Sequence, residues 1–278
     1  MARSRRVPWF VVTTLAAIVL VAFFAPPPMF DPLLHRLLYP APPLAVGEPP
    51  PGLTEVVLDA GAGRVVAWAG GHGASAGRPT VLFFHGNGEN LETMKRAGLF
   101  DDLERLGVAY LAIDYPGYGR SGGAANEKTL AAAAEAALDW ARQAHPRRPV
   151  VAAGWSLGAA VAVELLARHP EEVAGAALLS PWTRLADVAA IHFPAPLVRP
   201  YLAGRYDTLA VAPEIERPVL VIHGGADRII PAEQGERVAA AFSGPVRWRR
   251  IERADHNDLL LFPEVWQELS GFFASFGS

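Results

Sequence analysis

One serine of the sequence lies in a motif that is typical of nucleophilic serines. Ser156 is the central residue of G-x-S-x-G at 154–158, directly after an apolar run at 150–153 and directly before a predicted helix at 157–168. A tight turn from strand to helix presents the hydroxyl above the sheet, and the start of the helix offers unpaired N–H groups. We therefore predict that Ser156 is the nucleophile and that the Leu157 N–H is one oxyanion donor.

A serine nucleophile needs a base, and His256 is the one histidine downstream of Asp227. Asp227 follows the apolar run at 219–222, and His256 follows the run at 246–251. Because the carboxyl ends of parallel strands meet at one edge, both side chains are expected near Ser156. We predict that His256 exchanges the proton and that Asp227 orients the imidazole. The rival acids are Asp207, Asp255 and Asp258, of which Asp255 is adjacent to the histidine and poorly placed to bond it.

The second oxyanion donor is expected in the loop after the apolar run at 81–84. Asn87 is our choice for this donor, with Gly88 as the alternative, because the glycines beside Asn87 let N–H groups turn toward the crevice. His85 in the same loop is interpreted as a structural histidine. The turn at 114–121 follows the next strand and is expected to brace this loop.

The segment 181–213 interrupts the regular pattern of strands and helices and is expected to form a short lid. Its apolar side chains suit an acyl-chain substrate, or they only close the core above the sheet, and the sequence leaves both readings open. An aminopeptidase would want carboxylates near the substrate ammonium, and Asp187 and Asp207 are the only acids between Trp182 and Pro213. The predicted substrate-binding residues are Trp155, Trp182, Phe193 and Leu197.

Composition excludes several other classes of function. The net charge of −3 gives no electrostatic footprint for nucleic acid. The absence of cysteine excludes disulfides, thiolate metal sites and a cysteine nucleophile. With no H-E-x-x-H pattern and no phosphate-binding P-loop, the sequence implies no metal and no organic cofactor. The expected partner is a small or lipid-like acyl substrate.

The N-terminus predicts a membrane anchor. Arg3, Arg5 and Arg6 precede an uncharged run at 7–25, which would be about 28 Å long as a helix and nearly matches a bilayer core of roughly 30 Å. The arginines are expected to stay cytoplasmic, which places the remaining chain in the periplasm or outside the cell. A cleaved signal peptide is the alternative. Residues 26–52 hold ten of the 25 prolines and are interpreted as a linker whose apolar piece at 33–39 lies on the bilayer or packs on the domain.

The remaining chain, 53–278, predicts one α/β domain. Two short runs at 53–59 and 64–69 indicate an antiparallel edge hairpin. Apolar runs of strand length then alternate with helix-length segments, the pattern of a mostly parallel sheet covered by helices on both faces.

Six stretches together resemble the α/β-hydrolase superfamily over about 53–273: 84–88, 114–121, 154–158, 180–183, 223–227 and 255–257. The chain resembles membrane-anchored abhydrolase-domain proteins and bacterial serine-aminopeptidase-like hydrolases of this superfamily. The resemblance implies an α/β-hydrolase fold with an eight-stranded, mostly parallel sheet and a triad of Ser156, Asp227 and His256. The expected activity is hydrolysis of an ester or thioester. A peptidase or amidase, or a catalytically silent binding protein on the same fold, are the alternatives.

Overall fold

The computed structural model describes residues 35, 38–61, 63–75 and 77–277, with the side chain of Leu197 left out. The predicted anchor at 7–25 lies outside these residues, and within them no helix has the length and apolar character needed to cross a membrane. The described residues contain one sheet of eight strands: β1 (Thr54–Asp59), β2 (Arg64–Gly70), β3 (Thr80–Phe84), β4 (Ala109–Ile113), β5 (Val150–Trp155), β6 (Val173–Leu179), β7 (Val219–Gly224) and β8 (Val246–Ile251).

The strand order is β1-β2-β4-β3-β5-β6-β7-β8, and all neighbours from β4 to β8 are parallel. The central strands β3, β4 and β5 are buried at every position, which explains their continuous apolar sequences. The predicted antiparallel edge hairpin is confirmed: β1 is the edge strand and pairs antiparallel with β2, and β2 also pairs antiparallel with β4.

Successive residues of a strand face opposite sides of the sheet, and β3 supplies one apolar core on each side. Val81 and Phe83 belong to one core, while Leu82 and Phe84 belong to the other. From β3 onward, at least one α-helix lies between each strand and the next along the chain, as expected for a sheet that helices cover on both faces. Nine α-helices lie in the described part: α1 (Leu91–Arg96), α2 (Leu99–Arg105), α3 (Glu127–Ala144), α4 (Leu157–Arg168), α5 (Leu185–His192), α6 (Ala195–Leu202), α7 (Thr208–Val211), α8 (Ala232–Ala241) and α9 (Pro263–Ala274).

The predicted insertion at 181–213 consists of three short helices, α5 to α7, between β6 and β7. The chain just before the domain lies against this insertion. Tyr39 and Val46 are buried, and the Tyr39 hydroxyl lies 3.0 Å from that of Tyr206. His35 Nε2 lies 2.7 Å from the carbonyl oxygen of Ala125. The described part of segment 26–52 therefore packs on the domain, which is one of the two placements that the sequence left open for its apolar piece.

Candidate active site

Ser156 occupies a sharp turn between β5 and α4. Strand β5 ends at Trp155 and helix α4 begins at Leu157, so Ser156 alone makes the connection. Its backbone has φ 56° and ψ −112°, a conformation that is uncommon for a residue with a side chain. The Ser156 N–H donates to the carbonyl oxygen of Leu179 at 2.8 Å, which ties the turn to β6. The sheet and the helix thus hold a strained serine above the carboxyl edge.

Two glycines allow this turn to close. A Cβ atom on Gly154 would lie 2.0 Å from the carbonyl oxygen of Gly158. A Cβ atom on Gly158 would lie 1.9 Å from the carbonyl oxygen of Phe84 on the neighbouring strand. Both distances are far inside van der Waals contact with backbone atoms, so helix α4 can approach β3 and β5 this closely only because both residues are glycine.

His256 and Asp227 form a buried hydrogen-bonded pair. His256 Nδ1 lies 2.8 Å from Asp227 Oδ2, and the side chain of Asp227 is fully buried. Oδ1 accepts from the N–H groups of Ile229 at 3.0 Å and Ile230 at 2.7 Å. These bonds fix the carboxylate in one orientation. The imidazole is fixed in turn, with Nδ1 as the nitrogen bonded to the acid.

A second histidine, His223, lies 3.3 Å from Asp227 Oδ2 through its Nε2 atom, a contact that was not predicted from the sequence. Burial alone would raise the pKa of Asp227. Hydrogen bonds from His223 and His256 and from the Ile230 N–H outweigh burial, so the pKa of Asp227 lies well below its usual value. Asp227 is therefore a charged group at neutral pH.

The rival acids are engaged elsewhere. Asp255 bonds the side chain and the N–H of Arg228, and its Oδ1 also accepts from the His256 N–H. Asp258 accepts from the Asp255 N–H at 2.7 Å. Asp207 pairs with Arg184 at 2.8 Å. Only Asp227 among these four carboxylates is placed at the imidazole nitrogen of His256.

Ser156 and His256 line one cavity of about 640 Å³, at the carboxyl edge of the sheet beneath the lid. Leu157 and Asn87 line it as well, so the structure brings the predicted oxyanion residues to the same space. The predicted substrate-binding residues Trp155, Trp182 and Phe193 also line this cavity, Phe193 at its exposed side. The fourth, Leu197, lies on α6, and its side chain is outside the described part.

The loop that carries Asn87 is held by two tyrosines of the neighbouring turn. The Tyr118 hydroxyl lies 3.0 Å from both the carbonyl oxygen and Oδ1 of Asn87. The Tyr115 hydroxyl donates to the carbonyl oxygen of His85 at 2.8 Å. His85 is fully buried against both tyrosine rings, with Nδ1 2.7 Å from the Gly86 carbonyl oxygen. The histidine thus lies beneath the loop, as expected of a structural residue.

One carboxylate on the cavity wall was not among the sequence-based candidates. Glu89 lines the cavity, and its Oε2 accepts from the Gly86 N–H at 3.2 Å. Burial raises the pKa of Glu89, and His85, the Gly86 N–H and His256 oppose only part of this effect. The lid acids that were considered for an ammonium are instead paired with arginines, Asp187 with Arg199 and Asp207 with Arg184. The fold of the 85–90 loop determines which of its side chains enters the cavity, so the position of Glu89 could not be predicted from the sequence.

The sequence is similar to a family model and to several known proteins. A family model described as "alpha/beta hydrolase fold" matches residues 79–210. An uncharacterised protein of Mycobacterium tuberculosis is 38% identical over 211 residues, which are 75% of this chain and 74% of the relative. The human alpha/beta hydrolase domain-containing protein 17B is 34% identical over 196 residues, 69% of this chain and 65% of that protein.

Two solved structures resemble the fold. An alpha-beta hydrolase from Vibrio vulnificus superposes with a TM-score of 0.71 at 20% identity, covering 86% of this chain and 92% of the other. The Pyrococcus furiosus esterase Pf2001 does so with a TM-score of 0.68 at 21% identity, covering 84% and 96%. Together with the serine turn and the sheet order, the family model and the relatives show that the chain belongs to the α/β-hydrolase superfamily.

Proposed function

We propose that the protein is a serine hydrolase that cleaves an ester or thioester bond through an acyl-enzyme. The observation that carries this proposal is the shared cavity. The strained Ser156 and the buried His256 both line it, and the imidazole is anchored on its far side by the charged Asp227. A nucleophile, a base and an acid that orients the base are the parts that acyl transfer requires.

Each residue has a role in the proposed reaction. His256 removes the proton of Ser156 as Oγ attacks the substrate carbonyl carbon, and Asp227 stabilises the imidazolium that forms. The N–H groups of Leu157 and Asn87 bond the oxyanion of the tetrahedral intermediate. His256 then protonates the leaving alcohol or thiol and activates the water that releases the acid.

The lining of the cavity supports an acyl substrate. The lid side is apolar, with Leu185, Val188 and Phe193 among the lining residues. An apolar wall opposite the nucleophile stabilises a hydrocarbon chain by removing it from water.

We also propose that the apolar run at 7–25 anchors the protein with its catalytic domain on the outer side. In a protease-accessibility assay on intact cells, the domain should be digested, and protection would contradict this orientation.

The activity is tested with an acyl-length series of p-nitrophenyl esters and matching thioesters, run beside aminoacyl arylamides in detergent micelles. Wild-type protein should turn over the esters and thioesters, and Ser156→Ala should reduce the rate to that of the buffer. Ser243→Ala, a change at an exposed serine, is the matched control and should behave as wild type.

Three outcomes separate this proposal from its competitors. A clear preference for arylamides would replace it with a peptidase or amidase. No turnover of any substrate by wild-type protein would favour a silent binding protein. Equal turnover by wild type and Ser156→Ala would remove Ser156 from the chemistry.

A further inference from the structure

Glu89 is the single acidic side chain on the cavity wall. Among the described residues that line the cavity, no other is aspartate or glutamate, and none is lysine or arginine. Glu89 is partly buried, and its one bond to the Gly86 N–H leaves a carboxylate that can accept further donors. Among the described lining residues this negative charge has no lysine or arginine to neutralise it, so it repels an anionic substrate group and attracts a cationic one.

An aromatic face lies beside this carboxylate. A Cβ atom built on Gly86 would lie 3.4 Å from Glu89 Oε2 and 3.4 Å from Cε3 of the Trp155 indole, so the two side chains flank the same glycine. Trp155 directly precedes Ser156 in the chain, and its ring centre is 5.6 Å from that of His256. Trp182 contributes a second indole to the wall of the same cavity.

Carboxylate and indole faces together are the chemistry that binds an ammonium group. A cation over an indole face is attracted by the ring quadrupole, and quaternary ammonium groups, which have no N–H to donate, are bound in this way. A nearby carboxylate adds a direct charge interaction, which is stronger in a partly buried site than on an open surface. Gly86 has no side chain, so no Cβ atom stands between the two groups.

We propose that Glu89 and Trp155 form a cation subsite next to the nucleophile, so that the enzyme selects esters or thioesters that carry an ammonium group. This inference rests on the proposed hydrolase activity and names its substrate class. The subsite acts on binding and positioning of the substrate, while Ser156 and His256 perform the bond cleavage.

The test uses two pairs of substrates that differ only in charge. One pair is the p-nitrophenyl ester of ω-trimethylammoniobutyrate and its isostere with tert-butyl in place of trimethylammonium, which places the charge on the acyl side. The other pair is butyrylthiocholine and the isosteric tert-butyl thioester, which places it on the leaving-group side. The neutral members report hydrolase activity alone, so a failure of the proposed function is seen separately as no turnover of either.

Wild-type protein should favour the cationic member of at least one pair by about tenfold in kcat/KM, as expected for one partly desolvated charge contact at roughly pH 8. Glu89→Gln keeps the side-chain shape and an acceptor for the Gly86 N–H. It should remove most of this preference, measured as the ratio of kcat/KM for the cationic and the neutral member of each pair. Glu236→Gln is the matched control, since Glu236 is exposed and does not line the cavity.

Two results would overturn the subsite. The first is an equal preference in wild type and Glu89→Gln for both pairs, which would leave Glu89 as a structural residue of the loop. The second is a parallel loss of turnover for charged and neutral esters alike, which would show that the substitution disturbs the oxyanion loop and not the recognition of charge.

Discussion

The cavity has two walls of very different construction. On the side of the sheet, the lining residues Ser156 and His256 are 8% and 6% exposed, and Asp227, which bonds His256 from behind, is 6% exposed. On the side of the lid, the lining residue Phe193 is 58% exposed. The same small volume is thus bounded by a buried polar wall and by an open apolar one.

The difference shows that the proposed chemistry depends on buried, hydrogen-bonded polar groups, whereas the proposed preference for acyl chains depends on exposed apolar side chains. On the sheet side, glycine packing and hydrogen bonds to Asp227 fix each polar group, so any change there should be costly. The lid consists of short helices after β6 with few buried residues, so single changes there should alter substrate binding more than stability. Substitutions on the sheet side should therefore have larger effects on rate and stability than substitutions on the lid, and equal effects would contradict this difference.

The largest effect is expected at the proposed base. His256→Ala should lower kcat on a short p-nitrophenyl ester by about 10³-fold or more, because Ser156 then lacks a proton acceptor. His192→Ala is the control, since His192 lines the cavity from the lid and should change the rate only a few-fold. Steady-state kinetics on folded protein provide the measurement, and a near-wild-type rate for His256→Ala would remove its assigned role.

The two glycines of the turn that holds Ser156 should not tolerate a Cβ atom. Gly158→Ala should reduce the free energy of unfolding by about 3 kcal/mol or more, because its methyl group would collide with the Phe84 carbonyl oxygen. Gly88→Ala is the control, as a Cβ atom there meets nothing within 4 Å. Urea unfolding followed by circular dichroism measures both. Equal stability of the two variants would contradict the packing explanation of the motif.

The charged state of Asp227 should make stability depend on pH. Its pKa is lowered by folding, so its contribution is complete above the ordinary aspartate pKa of about 3.9 and is lost as pH falls toward the folded value. The stability gap between wild type and Asp227→Asn should be on the order of 2 kcal/mol near pH 5 and should narrow toward pH 3. Urea midpoints across this range test the sign, and a gap that widens on acidification would show that the sign is wrong.

The smallest effect is expected on the lid. Phe193→Ala removes an exposed ring at the cavity wall, so it should lower kcat/KM for long-chain esters by about three- to tenfold and leave short esters nearly unchanged. Stability should change by less than about 0.5 kcal/mol, since the ring is mostly in water. A large loss of stability would show that the lid is part of the core after all.

The sequence predicted the fold around the serine turn well because its signals are local. The turn at Ser156 needs a glycine two residues before it and two after it, and helix α4 has the bounds expected from the pattern. Asp227 follows the apolar strand β7 and His256 follows β8, and the parallel pairing of β7 with β8 brings those strand ends together.

The remaining features depend on contacts between distant segments. Glu89 enters the cavity because of how one loop turns, and no periodicity encodes that direction. Tyr39 bonds Tyr206 across 167 positions of the chain, so its segment resembled a linker by composition alone. The place of β2 as the antiparallel strand, one position inside the edge, also follows from pairing partners that composition does not specify.

The most direct test of the central claim is covalent labelling of the nucleophile. A fluorophosphonate probe added to the full-length protein should attach to one residue, and peptide mass spectrometry should locate it at Ser156. Labelling should vanish in Ser156→Ala and slow strongly in His256→Ala. A probe found on another residue, or labelling that persists at the wild-type rate in Ser156→Ala, would contradict the account.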